Sequence, residues 1–187
     1  KLAATKAYGA TVHLVGDTIE GSLQAARAMS AETGAVLVHP FDHPDILRGQ
    51  GTVGLEICDQ VPDVATVIVA TGGGGLISGI ATAVKALRPG TRVVGVQADS
   101  AAAWPASLAA GHPVRATSMT TLADGIAVDQ PSNLTFEHVS HLVDEIVTVS
   151  EGQLSRAMLL CLERAKLVVE PAGAAAVAAI LAHPHAF

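Results

Sequence analysis

Aromatic side chains are scarce. They make up 3% of the 187 residues, with one Trp and one Tyr, so the core has to be built from Ala, Val, Leu and Ile. Charge is scarce too. Only 15% of residues are charged and 50% are hydrophobic, which excludes disorder as a general description. The length suits one domain with a real core, or one and a half small ones. No Lys/Arg cluster occurs and the formal net charge is −6, so no nucleic acid partner is expected. No apolar run approaches ~18 uninterrupted residues, so no membrane span is expected. The Ala-rich segment 172–182 comes nearest and is too short.

Cysteine is limited to Cys58 and Cys161, far apart and each in an apolar, helical context. Two lone cysteines make neither a disulfide framework nor a metal site, and buried reduced thiols are the expectation. No signal peptide is expected. The expected location is cytoplasmic. There are four lysines: Lys1, Lys6, Lys85 and Lys166. None sits beside a glycine turn or Ser-rich loop of the kind that marks a Schiff-base site. Lys85 falls at the outer end of a helix and is expected to be solvated. An initiator Met is absent as well. The chain opens on Lys1-Leu2-Ala3-Ala4, which reads as the inside of a helix. An N-terminal part of the native protein is therefore expected to be missing.

What is present centres on residues 67–79. Residues 64–70 form an apolar, β-branched run without alternation, as in a strand covered on both faces. Gly72, Gly73, Gly74 and Gly75 follow. After them Leu76, Ile80, Ala83, Val84 and Leu87 recur at helical spacing until Pro89-Gly90. Four glycines leave the turn without Cβ atoms, so its backbone can approach a ligand closely. The free N–H groups and the dipole of the helix start favour an anion. A phosphate cradle is the expectation, and a flexible turn with no ligand is the alternative. A P-loop is excluded because Ile80 stands where its Lys belongs. The dinucleotide fingerprint fails because Ile77 or Ser78 stands where its last glycine belongs.

The remainder alternates strands and helices. Helix is expected at 2–8, from a cap at Asp17 or Thr18 to about Glu32, at 45–59, 101–110, 133–142 and 150–166, and in the last segment. Strand is expected at 11–15, 35–38, 64–70, 92–97 and 145–149. Residues 125–128 make a short strand or an ordered loop. Ser150 and Gln153 have the spacing of a capping box. This order means a parallel α/β sheet. A lobe boundary is expected near 38–42.

Other constellations are weaker. His39 and His43 flank Asp42, but Pro40 and Pro44 oppose the helix that an i,i+4 metal pair needs. A packed loop is the simpler reading. His138 and His141 are expected on an exposed helix face. The Gly75 to Gly79 run misses the nucleophile elbow, since its Ser comes one place late. Ser78 is expected inside the helix, either packed or helping to hold a phosphate.

Several stretches together resemble the serine/threonine dehydratase family. These are pyridoxal-phosphate enzymes of fold type II, the tryptophan-synthase-β type. The matching pieces run in the family's order over nearly the whole chain. They are Lys6-Ala7-Tyr8-Gly9-Ala10-Thr11-Val12, the loop at 39–44, and Gly49-Gln50-Gly51-Thr52. Then come Gly72-Gly73-Gly74-Gly75-Leu76, Gly111-His112-Pro113-Val114, Ala123-Asp124-Gly125-Ile126-Ala127-Val128 and Glu170-Pro171-Ala172-Gly173-Ala174. The forms at 41–44 and 111–114 look more like biosynthetic threonine dehydratase than serine racemase.

The resemblance implies an α/β fold with a three-layer parallel, Rossmann-like sheet, here incomplete. Residues 1–40 would be the remainder of a smaller lobe and 41–187 the larger, cofactor-binding lobe. Gly72, Gly73, Gly74, Gly75 and Leu76 would hold the phosphate of pyridoxal 5'-phosphate, with Gly125 and Glu170 near its ring. The implied reaction converts L-threonine to 2-oxobutanoate and ammonia, in isoleucine biosynthesis. The partner is a small amino acid, threonine or alternatively serine, and the parent protein would be a homo-oligomer. Serine dehydratase, serine racemase and a non-enzymatic phospho-ligand module remain as alternatives. The family's Ser-x-Lys-x-Arg motif and its Asn-containing loop have no counterpart. Its Ser-Gly-Gly/Ala-Asn segment would fall beyond Phe187. Gln97 and Ala103 stand where serine racemases carry acidic cation ligands, so no metal is expected. The chain is thus expected to be a central fragment without its Schiff-base lysine.

Overall fold

The computed structural model describes residues 1–16 and 19–187. Two units separate, Lys1–Val38 and His39–Phe187.

In the first unit, α1 (Leu2–Ala7) is closed by Gly9 at φ 85°, and α2 (Ile19–Thr33) by Gly34 at φ 72°. The cap expected at Asp17 or Thr18 lies outside the described residues. Strands were expected at 11–15 and 35–38, and neither forms. Apolar β-branched residues favour a pleated surface, but a strand exists only where a neighbour accepts its ladder bonds. These side chains instead stand open within the chain as described. Leu14, Val36 and Val38 are exposed, and α2 buries only Leu23.

In the second unit α3, α6 and α7 each start at a side-chain cap. α3 (Pro44–Gln60) starts with Pro at its first position. His43 Nδ1 accepts the Asp45 N–H at 3.1 Å. β1 (Thr66–Ala70) leads into α4 (Gly75–Leu87), and β2 (Arg92–Ala98) follows. A 3-10 turn at Asp99–Ala101 precedes α5 (Trp104–Ala110), so the helix expected at 101–110 is split. Residues 111–123 are irregular, as expected. Asp124–Ile126 is a 3-10 turn, so no strand forms at 125–128.

α6 (Asn133–Leu142) and β3 (Glu145–Val149) have the expected bounds. α6 opens with a Ser132–Thr135 capping box that the sequence pattern did not announce. The expected Ser150–Gln153 box is formed at the start of α7 (Glu151–Leu160). Gln153 Oε1 accepts the Ser150 N–H at 2.7 Å. The helical path then widens into a π turn at Cys161–Ala165 and ends at Lys166, φ 58°. α8 (Pro171–Ala182) closes the unit.

The sheet is parallel throughout, in the order β1-β2-β3. Ile68 pairs with Val94, and Val96 with Val147. Alternate residues feed two cores, giving three layers. Val67, Val69 and Val93 face Ile77, Ile80 and Val84 of α4, with Cys58, Trp104 and Val139. Ile68, Ala70, Val96 and Val147 face Leu154 and Ala157 of α7 and the alanines of α8. Four of those alanines, 174, 175, 178 and 179, are fully buried. Without larger side chains, α8 can lie close against the sheet.

The N-terminal edge of the sheet is bound by charge. Lys85 Nζ donates to Asp144 Oδ2 at 2.7 Å and to the Thr91 carbonyl at 2.8 Å. Its side chain is 19% exposed. The expected solvated Lys85 is therefore corrected: its long stem packs while its ammonium closes the gap before β2 and β3. Asp144 Oδ2 also accepts the Val93 N–H at 2.7 Å. Burial pushes this carboxyl up. Hydrogen bonds from Lys85 and Val93, and the charges of Lys85 and Arg92, outweigh that and hold it below its ordinary value.

Candidate cofactor-binding site

The glycine turn lies at the C-terminal end of β1 and at the start of α4. Gly74 is the cap of α4, at φ 95°, a conformation that strains any residue with a Cβ. Protein atoms also occupy the space beside the other glycines of the turn, most tightly at Gly73 and Gly75. A Cβ on Gly73 would lie 2.5 Å from the Phe41 ring, and one on Gly75 2.9 Å from Phe41 Cα. A Cβ on Gly74 would lie 2.5 Å from Trp104 Cζ2, and one on Gly72 3.1 Å from Ile126 Cα. The sequence reading assigned the missing Cβ atoms to ligand approach. In the fold they first admit Phe41, Trp104 and Ile126.

The polar side of the turn is open. Among the described residues, no backbone N–H from Gly73 to Ile77 donates to a protein acceptor. The first such bond is from Ser78 to the Gly74 carbonyl, at 2.9 Å. No side chain caps α4, and Gly73, Gly74 and Gly75 are buried. Helices always leave their first N–H groups unmet, but buried unmet donors are costly. The Ser78 hydroxyl, one turn in, is fully buried and has no partner either. A dianionic phosphate with several acceptor oxygens fits such a row of donors and the positive end of the helix. Leu76, the fifth residue of the expected cradle, has its N–H in that unmet row, and the residue is 37% exposed.

Two further expected residues are brought together. A Cβ on Gly125 would lie 3.3 Å from Glu170 Oε1 and 3.0 Å from Ala172 Cβ. Glu170 is the N-cap residue of α8. Since Ile126 abuts Gly72, the Gly125 loop, Glu170 and the glycine turn form one neighbourhood. Gly125 and Glu170 are exposed, so this part faces solvent.

Supports around the turn come from the 39–44 loop, expected to be a packed loop, and from Trp104, which was given no role in the sequence reading. His39 Nδ1 accepts the N–H groups of Phe41 (3.2 Å) and Asp42 (2.7 Å), and its ring meets Phe41 edge-on at 4.9 Å. His39 thus sets the loop that places Phe41 under the glycines, and His43 caps α3. Trp104 donates its indole N–H to the Gly72 carbonyl at 2.8 Å. Its own backbone N–H goes to Gln97 Oε1 at 2.9 Å. Its ring lies parallel to that of Phe136, at 6.3 Å and 3°. A lone buried Trp in a chain this poor in aromatics was the available signal.

Glu151 ties the irregular segment down. Its carboxylate accepts the Leu122 N–H at 2.8 Å and the Ser100 hydroxyl at 2.9 Å. Burial raises this carboxyl, and hydrogen bonds from Thr121, Leu122 and Ser100 more than offset the rise. Of the two histidines expected on an exposed face, only His141 is exposed. His138 is half-buried, with Nδ1 2.9 Å from the Leu134 carbonyl. A separate groove of about 430 Å³ between α3, α4 and α6 is lined by Leu47, Arg48, Leu55, Ala83 and His138. Both cysteines are buried and free, as expected.

A family model for pyridoxal-phosphate-dependent enzymes matches residues 1–187. The chain belongs to that family. More narrowly, it is 48% identical over 181 residues to an L-threonine ammonia-lyase of Thermotoga maritima. That match covers 97% of this chain and 45% of the relative. It is 44% identical to the catabolic L-threonine dehydratase of Escherichia coli (strain K12), covering 97% and 55%. The fold superposes on a crystal structure of a threonine deaminase with TM-score 0.94 at 43% identity, covering 100% of this chain and 62% of that one. It superposes on maize serine racemase with TM-score 0.91 at 38% identity, covering 96% and 56%. The chain thus spans about half the length of the curated relatives it matches. The expected α/β, fold-type II architecture stands.

Proposed function

We propose that this chain supplies the cofactor-phosphate site of a threonine dehydratase, which converts L-threonine to 2-oxobutanoate and ammonia. The observation that carries the reading is the buried glycine turn, whose N–H groups from Gly73 to Ile77 have no protein acceptor among the described residues. Gly72, Gly73, Gly74, Gly75 and Leu76 cradle the phosphate through the backbone. Gly125 leaves room beside the cofactor ring, and Glu170 presents a carboxylate there. Phe41 and Trp104 keep the turn in shape. Bound pyridoxal phosphate supplies an electron sink for the substrate's Cα carbanion. Similarity to proteins named threonine ammonia-lyase and threonine dehydratase supports threonine over serine as the substrate.

The Schiff-base lysine, on this reading, is outside residues 1–187. Lys85 is bonded at the opposite edge of the sheet from the glycine turn, and Lys166 donates to the Glu163 carbonyl at 2.8 Å. Residues 1–40 belong to the smaller lobe and 41–187 to the larger. The parent enzyme is a cytoplasmic homo-oligomer serving isoleucine biosynthesis. The relative named catabolic keeps a degradative role as the second reading.

The test is borohydride reduction of the full-length holoenzyme, followed by mass mapping of the cofactor adduct. The adduct is expected outside residues 1–187. An adduct on Lys1, Lys6, Lys85 or Lys166 overturns the assignment. An isoleucine requirement on loss of the gene separates the biosynthetic role from the degradative one.

A further inference from the structure

The glycine turn has a peculiar support. Its first carbonyl, that of Gly72, is the acceptor of the indole N–H of Trp104, at 2.8 Å. A trans peptide places the carbonyl and the following N–H on opposite sides. Holding the Gly72 carbonyl against the indole therefore aims the Gly73 N–H away from Trp104. The same indole touches the turn again, two residues on. Its Cζ2 fills the place where a Gly74 side chain would be, with only 2.5 Å to a Cβ built there. One rigid ring thus sets two successive units of the cradle.

Trp104 is itself held firmly. It is fully buried and stacked on Phe136. It opens α5, where its backbone N–H has no intrahelical acceptor. Gln97 Oε1 of β2 takes that N–H at 2.9 Å, leaving Gln97 Nε2 buried without a partner. The amide is fixed in this orientation, because a flip would set a donor against a donor. A line of bonds then runs from the sheet through Gln97 and Trp104 to Gly72.

We propose that Trp104 is a positioning residue for the cofactor phosphate, its indole N–H fixing the direction of the first donor of the glycine cradle. The inference rests on the phosphate-cradle reading above. It adds that the cradle is preorganised by a side chain that does not touch the ligand.

The test compares affinities of the full-length apoenzyme for pyridoxal phosphate and for pyridoxal, which lacks the phosphate. The variant Trp104→Phe keeps an aromatic ring beside Phe136 and removes the donor. The expected result is a loss of about fivefold to tenfold for pyridoxal phosphate. Pyridoxal affinity stays within about twofold, and the 31P resonance of the bound cofactor moves. A general loosening of the fold would lower both affinities together. Should the Phe variant fail to fold, benzothienylalanine at 104 keeps the shape and replaces the N–H by sulfur. Unchanged phosphate preference and an unmoved 31P resonance in a folded variant overturn the role of Trp104. A wild-type enzyme that binds pyridoxal as tightly as pyridoxal phosphate overturns the cradle itself.

Discussion

The two edges of the three-stranded sheet are built on opposite plans. At the N-terminal edge the charges are answered. Lys85 bridges Asp144 and the Thr91 carbonyl, Asp144 takes the Val93 N–H, and Arg92 pairs with Glu145 at 3.1 Å. At the C-terminal edge polar groups are left over. The N–H groups from Gly73 to Ile77, the Ser78 hydroxyl and Gln97 Nε2 have no protein partner among the described residues. Native folds rarely leave buried donors unmet, so a concentration of them marks where a ligand completes the structure. One edge is answered within the protein, and the other is the edge that the proposed phosphate would complete.

Glycine substitutions break this comparison most strongly. Gly74→Ala forces a Cβ against Trp104 at φ 95°. It is expected to cost about 3 kcal/mol of stability and to abolish the phosphate-dependent part of cofactor affinity. Gly90, between α4 and β2, has open space around a built Cβ. Gly90→Ala is expected to be neutral, or to stabilise by about 0.5 kcal/mol. Urea unfolding and cofactor titration of the pair decide it, and equal effects at the two sites would sink the contrast.

Lys85→Met tests the other edge. It removes the bonds to Asp144 and Thr91 and is expected to cost about 2 kcal/mol. Cofactor affinity in the folded variant should not change. A selective loss of affinity would mean that the two edges are coupled.

The same edge has a pH signature. The Asp144 carboxyl is held below its ordinary value, so the unfolded chain binds that proton more tightly. The stabilisation is full above the unfolded value and is lost as pH falls through the lower folded one. Asp144→Asn should therefore flatten the fall in stability below about pH 4. Urea midpoints at neutral and acid pH measure this, and an unaltered acid slope would refute it. Glu151, also held low, contributes in the same direction.

The smallest effect is expected at Ser78. Its hydroxyl has no bond to lose, so Ser78→Ala should change apoprotein stability by less than about 0.5 kcal/mol. A loss well above ~1 kcal/mol would show that the hydroxyl has a partner after all.

Legibility in the sequence followed the range of the interactions. β3 and α6 have the bounds that pattern alone assigns, and the Ser150–Gln153 box forms as spaced. Strands at 11–15 and 35–38 were legible only as propensity, and no ladder partner made them real. Lys85 looked solvated because its acceptor is 59 residues away. Phe41 was read only as part of the 39–44 loop and Trp104 only as the single Trp, neither as a wall of the glycine turn.

The chain by itself determined the strand–glycine–helix unit, the helix caps and the alternation of elements. These depend on dihedral preferences and on contacts within about one helical turn. Only the tertiary structure decided what fills the space beside each glycine, which charges meet across strand ends, and that Gly125 lies beside Glu170. Those contacts join residues that become neighbours only once the parallel register brings distant elements together.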